Sequence, residues 1–502
     1  MLTRPDGLRL WMPDTTVSML ERAAATWPNA IALVYGDERL SYAEYEANVR
    51  ALARKLVALG ATGKHVVILL PNSLDIAVAI FAVQAAGSTS VTLNPDYSAA
   101  ELGPILDQVR PVLAIANDDL HARLLDLLPA DALVASISML TASQPEQIFL
   151  PVLRPDSIAV LQFTGGTTGS PKGAMLSHRA VATNVVQREA VLPTNAADEQ
   201  IICMMPLYHS FAAAMCLHLT AYAGGTLHIL PRYRPDWVLD CIEREHITRL
   251  PAGPTLFNSL LGFDGLTRER VASLRCAYSG SAPLPQDTLS RWEALTGVPI
   301  YEGYGQSEAG PVLTYHGPDM RLKQGSVGPP LPLTEIEIVG GGVVGEIRAR
   351  GPQVMDGYLD RPDETAATLI NGWLYTGDIG RIDEDGYVFI EDRKKDMAIV
   401  GGFNVYPREI DEVLMQLPAV REAGAIGVPD AYRGEVIWAY IVADNLDPET
   451  VEMHCAASLV KYKRPSAIRF IEALPRTNVG KIDKQALKAM ARAELDGGTD
   501  VA

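Results

Sequence analysis

An unbroken apolar run, Val66 to Leu70, stops at Pro71-Asn72 and leads into a helical pattern over Ile76 to Ala86, then a strand over Ser90 to Leu93. A strand apolar at every position cannot keep one face in water, so it belongs in a parallel sheet covered on both sides. Before it, Tyr45, Val49, Leu52, Ala53, Leu56 and Leu59 recur at helical spacing, which predicts a helix over Tyr42 to Leu59 ended by Gly60. This βαβ alternation implies a doubly wound α/β sheet. It returns at Ile201 to Met205, Thr226 to Leu230 and Arg275 to Ser279. From Gly325 to Ala349 the pattern changes to short strands and glycine turns, which predicts a small β-rich subdomain.

At 502 residues the chain exceeds one ordinary domain. The sharpest break in composition is Asp392-Arg393-Lys394-Lys395-Asp396, which divides it into 1–391 and 392–502. After the break come a glycine-rich extended segment, a helix opened by Pro407 over Arg408 to Leu417, two strands and a last helix over Lys484 to Glu494, an α+β pattern. A net charge of −17 argues against a general nucleic-acid surface. The five cysteines are scattered without a Cys-x-x-Cys pair, giving neither a zinc spacing nor a disulfide framework. Met1 to Trp11 lacks the apolar core of a signal peptide, and the longest apolar stretch, Ile76 to Gly87, is too short to cross a bilayer. The expectation is a soluble, cytoplasmic protein without a transmembrane segment; the sequence does not fix its oligomeric state.

Chemistry concentrates in Thr164-Gly165-Gly166-Thr167-Thr168-Gly169-Ser170-Pro171-Lys172-Gly173, directly after the apolar run Ile158 to Leu161. Glycines let backbone N–H groups approach an anion, the hydroxyls add donors, and Lys172 adds a positive charge. The ligand this predicts is a polyphosphate. A Walker A loop is excluded, because Pro171 precedes the lysine and Gly173 follows it. Pro171 has no N–H and biases Ser170 to an extended conformation, so the loop is expected to be irregular and mobile.

In Tyr301-Glu302-Gly303-Tyr304-Gly305-Gln306-Ser307-Glu308, an aromatic beside glycine suits stacking on a flat base. There Ser307 can hold a phosphate oxygen, and Glu308 can take the Mg²⁺ that accompanies a nucleotide. Gly305-Gln306-Ser307-Glu308-Ala309 is also one residue from a Gly-x-Ser-x-Gly nucleophile elbow, the rival reading of a serine hydrolase. It fails at Ala309, and no Asp/His pair downstream completes a triad. Asp378, in Tyr375-Thr376-Gly377-Asp378, can accept from two adjacent hydroxyls, as a ribose diol requires. One lysine, Lys481, follows Gly480 near the C-terminus.

These segments, in this order, resemble the adenylate-forming superfamily of acyl-CoA synthetases, luciferases and adenylation domains. Thr255 to Leu261, Asp392 to Pro407 and Tyr462-Lys463-Arg464-Pro465 come nearest to bacterial long-chain fatty-acid–CoA ligases. Ser307 stands where the family has threonine. The resemblance covers essentially the whole chain and implies a large N-terminal AMP- and acyl-binding domain with a small mobile C-terminal domain. It implies ATP, Mg²⁺ and coenzyme A, with a carboxylic acid as substrate, and Lys481, Glu308, His209 and Thr164 as catalytic residues. Nucleotide contacts would come from Thr164 to Gly169, Lys172, Ser281, Ala282, Glu302, Gly303, Tyr304, Ser307, Asp378, Arg393 and Lys481. The acid pocket would be His209, Phe211, Met215, Phe257, Gly280, Gly305 and Val312. Those residues are apolar or small and show no charge for a second carboxylate, which fits a fatty or aromatic acid. The resemblance also implies a hinge at Lys395 and a pantetheine tunnel at Gly401, Gly402 and Phe403. An enzyme loading the pantetheine of a carrier protein shares every one of these motifs.

Overall fold

The computed structural model describes residues 2–117, 120, 124, 126–128, 132–141, 148–164, 171–430, 432–477 and 481–497. Two large sheets form the body. The seven-stranded sheet runs Gly357–Tyr358, Lys172–Ser177, Ile158–Thr164, Thr89–Thr92, His65–Leu69, Leu113–Ala116, Leu133–Ala135. From Ile158–Thr164 to Leu133–Ala135 its pairs are parallel, and the other two strands join antiparallel. An eight-stranded sheet carries Gln200–Cys203, Thr226–Ile229, Arg249–Ala252, Cys276–Ser279 and Ile300–Gly305 in parallel, with Val312–Tyr315 antiparallel at one edge.

The helix Leu74–Ala85, between His65–Leu69 and Thr89–Thr92, is buried from Ile76 to Ala85 and has no polar face. One apolar cluster explains why: it joins Val66 and Ile68 of the first sheet, Ile201 and Cys203 of the second, and the helices between them. The outer face of each sheet has its own cluster, around Leu102 and Ile105 on one and Val238 and Trp292 on the other. Helix Tyr42–Ala58 starts at Ser41, whose hydroxyl accepts from the Glu44 N–H while the Glu44 side chain accepts from the Ser41 N–H.

A third, antiparallel sheet of five strands contains Glu335–Ile338, Gly345–Arg350, Leu369–Ile370, Trp373–Ile382 and Val388–Arg393. Beyond it, Ala398–Val400, Phe403–Val405, Val420–Asp430, Gly434–Ala443 and Ala467–Phe470 make a fourth sheet. Helices Pro407–Leu414 and Pro448–Ser458 pack against this sheet, with cores drawn only from residues after 397. No helix among the described residues is long and apolar enough to cross a membrane.

The glycine-rich segment departs from its expectation at one end. Lys172 and Gly173 are not irregular: they pair with Thr164 and Phe163 as the first rungs of an antiparallel hairpin. A Cβ on Gly173 would meet Leu161 Cδ1 at 2.8 Å, so a glycine lets the two strands close there. Gly165, Gly166, Thr167, Thr168, Gly169 and Ser170 lie outside the described residues.

Candidate active site

Three motifs lie at the carboxyl ends of strands in the two large sheets: Thr164 ends one strand, Gly280 follows Cys276–Ser279, and Ser307 follows Ile300–Gly305. In open α/β sheets this edge is where ligands bind. The two sheets are tied there by Asn72, next to the proline that stops the first strand. Its side chain donates to the Met205 carbonyl at 3.0 Å and accepts from the Leu207 N–H at 2.8 Å. The Tyr208 carbonyl accepts from Thr92 at 2.9 Å. These three bonds fix the segment that carries His209.

At the base of the hairpin the Lys172 ammonium lies 5.4 Å from the centre of the Tyr358 ring. The Tyr358 hydroxyl donates to Glu308 Oε1 at 2.9 Å. Burial, then the Glu308 charge, raises the Tyr358 phenol and keeps it a donor. Lys172, Tyr358 and Glu308 thus form one line from the glycine-rich segment to the carboxylate. The other Glu308 oxygen accepts no hydrogen bond among the described residues. One free carboxylate oxygen suits a magnesium ion that takes its remaining ligands from phosphate and water.

Tyr304 Oη donates to Asp378 Oδ2 at 2.6 Å, and Arg393 Nε lies 3.6 Å from Asp378 Oδ1. Asp378 and Arg393 are cross-strand partners next to a register shift, which brings both to the same edge. Burial raises the Asp378 carboxyl, against the lowering by Arg393, Tyr304 and Lys481. Burial also lifts Glu302 to about 7, although Arg408 opposes it. Gly305 is required by close approach: a Cβ there would stand 1.9 Å from the Pro311 carbonyl oxygen. Ser281, beside Ala282 in the turn after Gly280, has a left-handed φ of 70°, an uncommon state for a non-glycine residue and one that recurs at ligand sites. Ser307 Oγ pairs with Ser210 Oγ at 3.1 Å, not with a histidine, so no hydrolase triad forms around it.

His209 Nδ1 accepts from the Phe211 N–H at 3.2 Å, which leaves the proton of the neutral ring on Nε2. Burial, then Lys481, lowers His209 to about 4, so it is neutral at ordinary pH. Lys481 itself is lowered to about 8 by burial and by Arg393 and Lys395, against the opposing pull of Asp378 and Glu308. Its backbone is held by a two-way tie to Thr477: the Lys481 carbonyl accepts from the Thr477 N–H at 2.8 Å, and the Lys481 N–H donates to Thr477 Oγ1 at 3.3 Å. Gly480 lies outside the described residues. Arg476, in the same hairpin, reaches the other domain by donating to Thr255 Oγ1 at 3.2 Å.

The structure therefore brings together His209, Glu308, Asp378, Arg393 and Lys481. Phe211, Met215 and Val312 share one face of the eight-stranded sheet, and Phe211 packs on Gly280, where a Cβ would meet its ring at 2.6 Å. Phe257 is not among them: it lies on the opposite face with its ring 5.1 Å from Trp292. Gly401, Gly402 and Phe403 are exposed, and Phe403 stacks on Tyr462 at 4.5 Å. Lys395 is exposed between the last strand of the third sheet and the first strand of the fourth. Sequence reasoning missed Asn72 and Tyr358, which follow a proline and a glycine at strand ends, a weak signal.

The family model described as AMP-binding enzyme matches residues 20–359, and the AMP-binding enzyme C-terminal domain matches residues 409–481. A long-chain-fatty-acid–CoA ligase of Escherichia coli is 35% identical, over 96% of this chain and 96% of its own. A methyl-dioxo-octahydroindenyl propanoyl:CoA ligase of Rhodococcus jostii is 33% identical, over 95% of this chain and 98% of its own. Among solved structures, ATP-bound MatB from Rhodopseudomonas palustris matches with a TM-score of 0.89 at 31% identity, covering 94% of this chain and 98% of that one.

Proposed function

Because this chain belongs to the AMP-binding enzyme family and is an AMP-forming acid–thiol ligase using ATP, Mg²⁺ and coenzyme A, we propose that it activates a carboxylic acid whose reacting end sits among apolar side chains. In the first half-reaction a carboxylate oxygen attacks the α-phosphorus, the bond to pyrophosphate breaks, and an acyl-adenylate forms. In the second, the thiol sulfur of coenzyme A attacks the acyl carbon and AMP leaves.

The observation that carries this reading is the convergence of Lys481 with Asp378, Glu308 and His209 at one strand edge. Carboxylate and ATP are both anions and repel each other. An ammonium lying between the Asp378 side and the His209 side offsets that repulsion and stabilises the charge that builds on the α-phosphate. Asp378 offers an acceptor to the ribose diol, with Tyr304 and Arg393 fixing its two oxygens. His209, neutral and with Nε2–H free to donate, orients the carboxylate without adding a second charge. Glu308 would hold the magnesium ion, whose positive charge offsets that of the phosphates. The hairpin based on Thr164 and Lys172 would take the β- and γ-phosphates. Phe211, Met215, Gly280 and Val312 would contact the first carbons of the acid, and the breadth of acids named for the relatives leaves its remainder to be measured.

The test is pyrophosphate release by the purified protein with ATP, Mg²⁺ and a panel of alkanoic, aromatic and dicarboxylic acids, followed by thioester yield with coenzyme A or with holo carrier protein. Acid-dependent release and a coenzyme A thioester are expected. Release that no acid stimulates contradicts the proposal, and a thioester formed only on the carrier protein replaces its second half.

A further inference from the structure

We infer that the acid pocket ends on a cation, Arg188, and that the acid activated here carries a hydrogen-bond-accepting oxygen, keto or carboxylate, at the end remote from its reacting carboxylate. This rests on the reading above and names the substrate class of that same site.

Arg188 lies on helix His178–Glu189 and is only 2% exposed. Its Nε donates to the Asn184 carbonyl at 3.2 Å and its Nη2 to the Ala214 carbonyl at 3.1 Å. The remaining contact, from Nη1, is to Met215 Sδ at 3.1 Å. No carboxylate among the described residues forms an ion pair with this guanidinium. Glu189, its neighbour in sequence, accepts from Thr194 and acts on the guanidinium by its charge without a direct ion pair. Arg249 offers an internal control. It is equally buried, at 2%, and it has Glu199 at 3.1 Å with 0% exposure of that partner. Where this fold buries an arginine for structure it supplies a counter-ion; at Arg188 it does not. A buried charge without a partner is costly and is retained where something else completes it.

Position points to the acid. Asn184, one helical turn before Arg188 on the same helix face, donates to the Val312 carbonyl at 2.8 Å and accepts from the Val312 N–H at 3.3 Å. That helix face therefore backs the wall formed by Val312. Met215 follows Phe211 by four residues, in the same cluster as the rings of Tyr278 and Tyr315. Phe211 thus packs on Gly280, and Met215, four residues on, meets the guanidinium. A second polar group waits at this depth. His218, three residues past Met215, is 3% exposed, and neither ring nitrogen has a hydrogen-bond partner among the described residues. Burial, then the charge of Arg188, keeps that imidazole neutral at about 3.

A guanidinium only donates, so its complement must accept. The acceptor now on Nη1 is a thioether, among the weakest in proteins. Met215 is unbranched, with three rotatable bonds, so it can swing aside at little cost. A keto or carboxylate oxygen would replace sulfur with a stronger, charge-assisted hydrogen bond. A terminal methyl group would leave the cation as it is and gain nothing from it.

The test uses the full chain and straight-chain acids of increasing length, each paired with its ω-keto and ω-carboxy counterpart, scored as kcat/KM for pyrophosphate release. At one chain length the oxygenated acid should be preferred by on the order of tenfold or more, since a site built to donate discriminates against an analogue lacking the acceptor. Arg188→Met should abolish that preference while the plain acid of equal length is still turned over. Preference for plain acids at every length, or an unchanged ratio in Arg188→Met, overturns the inference. If Arg188→Met does not fold, Met215→Ala, which frees Nη1, must raise the ratio for the oxygenated acid; no rise also overturns it. Failure of the parent reading is distinct, because then no acid of either kind releases pyrophosphate.

Discussion

Two hairpins of the C-terminal domain meet opposite environments. The one carrying Lys481 is tucked into the N-terminal domain, its ammonium influenced by Asp378, Glu308 and His209, with Arg476 bonded across to Thr255. The other, Gly401 to Phe403, faces solvent: nothing lies within 4 Å of a Cβ built on either glycine, and Phe403 rests on Tyr462 of its own domain. Both glycines have left-handed φ angles, 58° and 86°, that shape a tight turn. One small domain thus turns one hairpin inward and leaves the other in solvent. We propose that the arrangement described here serves the first half-reaction, and that rotation near Lys395 presents the second hairpin to the thiol.

The largest effect that would break this comparison belongs to Lys481. Lys481→Ala should lower acyl-adenylate formation by about a hundredfold to a thousandfold, the scale of losing one group that stabilises transition-state charge. Thioester formation from supplied acyl-adenylate should stay near wild type in a quenched-flow assay; equal loss of both steps would mean that one arrangement does both. Next, Lys395→Pro should slow the thioester step by on the order of tenfold or more while sparing pyrophosphate release, because it stiffens the segment that must turn. An unchanged overall rate would move the hinge elsewhere.

Smaller effects sharpen the account of the engaged side. Tyr358→Phe keeps the ring under Lys172 and removes the hydrogen bond to Glu308. The Mg²⁺ concentration for half-maximal pyrophosphate release should rise by about tenfold or more, in line with losing one bond to a charged group. Thioester formation from acyl-adenylate should not change. The smallest effect is in pH. Lys481 must be charged to act, and its ammonium is lowered to about 8. First-step kcat/KM should therefore be full below that pH, about half at pH 8, and fall further above it. A profile flat through pH 9, measured by pyrophosphate release, would mean that this charge is not used.

Local pattern made much of the fold legible. Val66 to Leu70 and the helix after Tyr42 are found within a residue or so of where apolar periodicity puts them, because burial on two faces or one leaves a plain signature. The helix after Pro407 ends at Leu414, short of Leu417, because the chain turns there into strand Val420–Asp430. Glu308 and Asp378 stand out beside glycines in segments of unusual composition, and the structure brings both near Lys481. What stayed hidden depends on distant contacts. Phe257 and Phe211 read alike in sequence, but one lies on each face of a sheet. Arg188 sits in a helix of mixed composition, and only the fold reveals that it forms no ion pair among the described residues and that its guanidinium ends against Met215.

If one domain alternates between two tasks, a cross-link that locks the engaged arrangement should separate them. All five cysteines are buried. Cysteines introduced by Thr255→Cys and Arg476→Cys, at a contact of 3.2 Å between the domains, could be joined by a short bis-maleimide. The account predicts that the joined enzyme still makes acyl-adenylate and pyrophosphate in a single turnover but no longer forms the coenzyme A thioester, while the uncoupled double variant does both. Thioester formation at the uncoupled rate after complete cross-linking would contradict it.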